Sequence, residues 1–351
     1  MKKITLIIIC FMSIIICWTF SYATAAYEVS RGEVVMEVSS GRLLYSHNES
    51  LTMPMASTTK IITAITIIEK CDLQSVIEVG SETTGIEGSS VYLKAGDRFT
   101  VEDLLYGLML RSGNDCAETL AVFCSGSISA FCNEMQNTAT RCGATDSRFA
   151  NPHGLPCKGH YTTALDLCKI TCYALKNSKF SEIVATRRHT ATELSSGTKI
   201  TWQNKNKLLN FFDGADGVKT GYTKEAGRCF VGSATRGGMR VVSVVLNSPQ
   251  MFERSEELLD NAFTDFNLVK IIDKSRFDYV AFTPDRKNAY KLNVENDFYY
   301  PLGINEKFEI ECDIPETLPY TAKIGDKAGE IKIYLKKQLI FSQNIYTLVN
   351  D

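Results

Sequence analysis

The sequence predicts an α+β protein: an antiparallel sheet flanked by helices, followed by a small C-terminal all-β sandwich. Three observations carry this reading. Strand patterns at Glu33–Val38 and Arg42–Tyr45, and again between Gly217 and Leu246, bracket a long stretch of helical periodicity. One helix in that stretch is apolar on nearly every face, as only the middle of a core permits. After Phe266 the helical period gives way to short strand-like segments separated by Pro, Gly, Asn and Asp.

Taken in order, Lys2 and Lys3 precede an almost unbroken apolar run from Ile4 to Phe20, and Ala23-Thr24-Ala25 offers a small-residue cleavage site. Residues 1–26 therefore read as an export signal, with the mature chain beginning near Ala26 or Tyr27. Ser39-Ser40-Gly41 joins the first two strands as a hairpin. Pro54 precedes a helix expected to start near Ser57, with Ile61, Ile62, Ala64, Ile65, Ile67 and Ile68 along it. Thr100-Val101-Glu102-Asp103 resembles a capping box opening a helix that runs to Arg111. Helical patterns continue over Ser127–Cys142 and Ala164–Lys176.

Strands are expected at Gly217–Gly221, Arg228–Ala234 and Arg240–Leu246, and a helix from about Phe252 to Phe266 closes this part. Residues 27–266 are thus read as one domain and 267–351 as a second. The second holds strands at Asp278–Phe282, Ala289–Val294, Lys307–Cys312, Glu330–Leu335 and Gln338–Leu348. The last of these lacks the basic face and helical period of a membrane-surface helix. Membrane contact is expected only through the N-terminal segment before its removal.

Composition narrows the function classes. A net charge of −2 and the lack of a basic stripe argue against nucleic acid as a partner. Twelve cysteines occur, of which Cys10 and Cys17 lie in the export run. They form no C-x-x-C pair and no His/Cys cluster, so no metal and no cofactor is expected. Cys168 and Cys172 sit one helical turn apart in an apolar pattern and read as core. Mostly free thiols are expected.

Three ordered motifs carry chemistry: Ser57-Thr58-Thr59-Lys60, Ser112-Gly113-Asn114 and Lys219-Thr220-Gly221. Three residues apart on a helix, Ser57 and Lys60 share a face, so the amine can reach the hydroxyl. An ordinary lysine titrates near ~10.4 and makes a poor base. Burial beside a second cation, such as Lys219, would yield the neutral amine. Ser112 can relay a proton between nucleophile and leaving nitrogen. Asn114 offers a donor and an acceptor to a substrate amide. Lys219 and Thr220 on an edge strand can hold a carboxylate, and Gly221 leaves room beside it. The four histidines show no serine–aspartate arrangement around them.

Together with Met53–Lys60, Val101–Leu110, Asn151–Leu155 and Asp216–Thr223, these motifs resemble the low-molecular-weight penicillin-binding proteins, the serine-type D-alanyl-D-alanine carboxypeptidases. The resemblance implies the penicillin-binding protein/β-lactamase-like transpeptidase fold. It also implies Ser57 as acylated nucleophile, Lys60 as base, Ser112 as relay and Asn114 as substrate holder. Lys219 and Thr220 would grip the terminal carboxylate, and the backbone N–H groups of Ser57 and Tyr222 would form the oxyanion hole. The implied partners are peptidoglycan stem peptides ending in D-Ala-D-Ala, with β-lactams as covalent inhibitors, on the outer side of the cytoplasmic membrane.

Three other functions share parts of this machinery. A class A β-lactamase needs a deacylating glutamate in a Glu-x-x-Leu-Asn-like context. Glu118, Glu134, Glu182 and Glu193 do not provide one. A DD-endopeptidase would cut crosslinks with the same residues, and a non-catalytic penicillin-binding module would be acylated and stop there.

Overall fold

The computed structural model describes residues 31–348; the export-signal reading of residues 1–26 lies outside them. A five-stranded antiparallel sheet forms the centre. Its strands are β1 (Gly32–Glu37), β2 (Leu43–His47), β3 (Ala215–Thr223), β4 (Gly227–Arg236) and β5 (Met239–Leu246), in spatial order β2-β1-β5-β4-β3. The edge strand β3 carries the Lys-Thr-Gly motif.

Both faces of this sheet are covered, which explains the apolar runs Val34–Met36 in β1 and Val244–Leu246 in β5. Val34, Met36, Val242 and Val244 point into the larger core, and Val35, Val241 and Val245 into a smaller one on the opposite face. Side chains alternate across the pleat, so adjacent valines feed different cores. Helix α1 (Lys60–Lys70) lies in the larger core, where Ile61, Ile62, Ala64, Ile65 and Ile67 are fully buried. Around it stand α2 (Val101–Tyr106), α3 (Asn114–Ser125), α4 (Ile128–Arg141) and α5 (Ala164–Leu175). The β-branched run of α1 is a weak helix former by itself, so packing holds it. Each buried isoleucine contributes roughly 1.5–3 kcal/mol. Its two buried threonines are satisfied across the core: Thr63 Oγ1 donates to Pro152 O at 2.7 Å and Thr66 Oγ1 to Thr138 Oγ1 at 3.2 Å.

The opposite face is covered by a helix over Met251–Asp265, which buries Leu258, Leu259 and Ala262. No loop follows it: β6 (Phe266–Ile272) begins at the next residue. This strand pairs with a second missed by periodicity, Phe298–Gly303. Its run Phe-Tyr-Tyr-Pro-Leu-Gly does not alternate, so it showed no strand period. The other C-terminal strands, at Tyr279–Phe282, Ala289–Val294, Phe308–Asp313, Lys327–Leu335 and Gln338–Leu348, form a five-stranded antiparallel sheet. Ile272 from β6 packs into a common core with Leu292, Ile333 and Ile345 of that sheet, making a small sandwich.

Arg42, beside the β1–β2 hairpin, joins the two parts. It donates to Pro301 O, pairs with Glu306 at 2.6 Å, and stacks 5.1 Å from the Phe266 ring centre and 5.2 Å from that of Tyr300. Two short antiparallel strand pairs, Val76–Glu78 with Arg98–Thr100 and Arg188–Thr192 with Lys199–Gln203, were also absent from the sequence reading.

Candidate active site

The helix expected to start at Ser57 is instead a 3₁₀ turn over Ala56–Thr59, running into α1 at Lys60. The reason is local. Ala56 adopts a left-handed φ of 48°, and Thr58 and Thr59 hydroxyls donate back to Met55 O and Ala56 O at 2.6 and 2.8 Å. Such side-chain bonds favour the tighter i→i+3 turn. Ser57 keeps its face with Lys60 all the same.

Lys60 is fully buried. Its Nζ lies 2.7 Å from Asn114 Oδ1, 2.7 Å from His153 O and 3.1 Å from Ser57 Oγ. Burial drives its pKa well below the usual lysine value, and the positive charge of Lys219 pushes further in the same direction. Two carbonyl acceptors use two N–H bonds. A neutral amine then has its lone pair free to accept the Ser57 hydroxyl proton.

The second motif follows from how α2 ends. Thr100 Oγ1 caps α2 by accepting from Asp103 N at 3.0 Å, as the capping box anticipates. The last turn, Gly107–Arg111, widens to a π-helical turn and throws Ser112 into a left-handed conformation at φ 66°. Asn114 then starts α3. Its N–H donates to Ser89 O at 2.7 Å and its amide Nδ2 to Glu87 O at 2.5 Å. Asn114 is 2% exposed with both amide groups engaged, so here it positions Lys60 and anchors the 87–89 loop. The next residue, Asp115, is also buried and accepts from Val91 N and Leu93 N, which shapes the same loop.

Lys219 is buried, and its Nζ donates to Thr220 O at 3.0 Å. Burial, then repulsion from Lys205, lowers its pKa to about 7. Gly221 brings β3 against the Ser57 turn: a Cβ there would sit 3.0 Å from Ser57 N and 3.1 Å from Thr58 N. Its missing side chain leaves the gap beside the Ser57 N–H open. Tyr222 is 62% exposed, and Arg228, its cross-strand partner, lies 5.7 Å over its ring.

Ser57, Ser112, Thr220, Gly221 and Tyr222 line one cleft of about 280 Å³. Lys205 and Arg228 line it too, and no carboxylate does, so the cleft suits an anionic ligand. Asn114 and Lys219 stand behind this lining. No group of His, Cys, Asp or Glu among the described residues could hold a metal ion.

Sequence reasoning missed the 151–160 loop as a support. Gly154, at φ 94°, presses against the Ala56–Thr59 turn so closely that a Cβ would lie 1.9 Å from Ala56 O. His160 Nε2 meets Thr59 Oγ1 at 2.9 Å, and His153 Nε2 meets Glu118 Oε1 at 3.2 Å. Burial and the nearby Lys60 charge lower His153 to about 3 and His160 to about 4, keeping both neutral. Lys205 and Arg228 were missed as well. No motif marks a lone cation on a cleft wall.

Comparison with known proteins matches residues 22–250 to the D-alanyl-D-alanine carboxypeptidase family. The chain is 33% identical to D-alanyl-D-alanine carboxypeptidase DacF of Bacillus subtilis over 245 residues, 68% of this chain but 63% of that relative. It superposes on a Streptomyces DD-transpeptidase at a TM-score of 0.63 and 32% identity, covering 66% of this chain and 96% of the other. Over 91% of its length it shares the fold of penicillin binding protein 5 from Haemophilus influenzae, with a TM-score of 0.75 at 24% identity and 96% of that chain covered. A cleft serine bonded to a buried lysine, an edge-strand Lys-Thr-Gly and a family match over most of the chain lead to one conclusion: it belongs to the D-alanyl-D-alanine carboxypeptidase family.

Proposed function

We propose that this chain is a serine-type D-Ala-D-Ala carboxypeptidase that removes the terminal D-alanine from peptidoglycan stem pentapeptides. The observation that carries it is the Lys60 amine, buried, charge-repelled and 3.1 Å from Ser57 Oγ. The Ser57 hydroxyl proton passes to Lys60 as Oγ attacks the penultimate D-Ala carbonyl. The resulting oxyanion meets the N–H groups of Ser57 and Tyr222. Ser112 relays that proton from Lys60 to the departing D-Ala nitrogen, which leaves Lys60 neutral again to activate water for hydrolysis by the reverse route.

The terminal carboxylate docks on Thr220, and its negative charge raises the proton affinity of Lys219 behind it. β-Lactams acylate Ser57 by the same path. The chain works outside the cytoplasmic membrane after losing residues 1–26, which N-terminal sequencing of the exported protein checks. No helix among the described residues is long and apolar enough to cross a membrane.

The decisive assay offers purified protein a pentapeptide ending in D-Ala-D-Ala, a crosslinked peptide dimer and a fluorescent penicillin. D-alanine release, and a penicilloyl adduct on the Ser57 peptide that Ser57→Ala abolishes, are the expected results. Cleavage of the dimer alone would make it an endopeptidase, and an adduct with no turnover a binding module.

A further inference from the structure

Asn114 and Glu118 stand one turn apart on α3, so their side chains share a face. Both reach Lys60, by different routes. Asn114 Oδ1 accepts from Lys60 Nζ directly at 2.7 Å. Glu118 Oε1 meets His153 Nε2 at 3.2 Å, and the carbonyl of the same His153 accepts from Lys60 Nζ at 2.7 Å. These bonds close a ring from α3 through Lys60 and His153 back to α3.

The His153 side of the ring has little freedom. Leu155 N donates to His153 Nδ1 at 3.2 Å, which assigns the imidazole proton to Nε2, where it is donated to Glu118. Asn151 Oδ1 accepts from the N–H groups of His153 and Gly154 at 3.2 and 2.7 Å, fixing the turn from which the carbonyl projects. The His153 and Glu118 side chains are 8% and 19% exposed, so a lost partner is poorly replaced by water. The Asn151 turn sets the direction of the carbonyl within its own loop. The Glu118 bond sets where that loop stands against α3, and so against Asn114. A buried histidine needs a partner for Nε2 in any case, but this partner is on the helix that carries the other acceptor of the amine.

We propose that Glu118 is a positioning residue for the Lys60 amine, acting through the His153 ring to hold the His153 carbonyl and Asn114 Oδ1 together on Nζ. With those two N–H bonds fixed, the lone pair of the neutral amine faces Ser57 Oγ, 3.1 Å away. The inference rests on Lys60 as the base of the proposed reaction. Glu118 is absent from the residues that line the cleft, so it affects the rate of proton transfer and not the binding of substrate.

The test measures acylation of the purified protein by fluorescent penicillin across a range of concentrations, which separates the saturating rate from the apparent affinity. Glu118→Ala should lower the saturating rate about 10-fold and leave the affinity unchanged. Glu118→Gln, which retains an acceptor oxygen for Nε2, should keep most of the rate. His153→Ala should lose as much as Glu118→Ala, and the double variant no more than either alone. Where Glu118→Ala does not fold, Glu118→Asp, one methylene short of the ring, carries the same comparison. In 15N-edited NMR the His153 Nε2 proton should be visible in wild type and in Glu118→Gln, and lost to exchange with water in Glu118→Ala. A Glu118→Ala rate equal to wild type, a loss of affinity in place of rate, additive losses in the double variant, or an unchanged Nε2 proton overturns the positioning role. A wild type that takes no penicillin overturns the proposed function itself, and this inference with it.

Discussion

Lys60 Nζ and Asn114 Oδ1 lie 2.7 Å apart, so a residue of the second motif fixes the lysine of the first. Because Asn114 is a neutral acceptor, it orients the amine without favouring its protonated form. A carboxylate in its place would do both.

Asn114→Asp should therefore pin Lys60 as an ammonium and slow acylation by fluorescent penicillin at pH 7 by about 100-fold or more. Stopped-flow labelling across pH is the check. Part of the rate should return at alkaline pH, and a rate equal to wild type at pH 7 would contradict the assignment of Lys60 as base.

Lys219 and Lys60 are coupled by repulsion. Lys219→Ala removes the positive neighbour, so the folded pKa of Lys60 rises and the acid limb of acylation moves to higher pH. In the wild type, free Lys219 loses its proton around pH 7, so affinity for the substrate carboxylate should weaken above that pH. Profiles of kcat/KM against pH for both proteins test the two signs separately.

Gly154→Ala places a Cβ against Ala56 O while holding φ at 94°. The cost should be about 2–4 kcal/mol from clash and backbone strain together. Denaturant melts read it directly. Penicillin acylation should fall as well, because the nucleophile turn is the element displaced.

His160 is buried and held neutral, with its pKa near 4 against about 6.5 when unfolded. Between those values the unfolded chain binds the proton and the folded chain does not. Its contribution is intact above pH 6.5 and shrinks as pH falls toward 4, by about 3 kcal/mol in all. His160→Gln should make that limb of the stability curve shallower, leaving the share from His153, measured by thermal unfolding from pH 7 to pH 4.

The sequence by itself determined the parts that local order can express. Serine three residues before lysine, the Ser-Gly-Asn turn after a capped helix, and Lys-Thr-Gly on a strand are short-range patterns, as are the apolar periods of α1 and the central sheet. Tertiary structure alone decided what those groups feel. The base role proposed for Lys60 rests on burial, Lys219, Asn114 and the His153 carbonyl, which converge on it from chain positions far apart. Gly154 and Gly221 are required because separate segments cross the Ser57 turn at contact distance. The strands Phe266–Ile272 and Phe298–Gly303 escaped notice because each is stabilised by the other, and their own side chains do not alternate cleanly. Desolvation and close approach are properties of space, and no spacing along the chain encodes them.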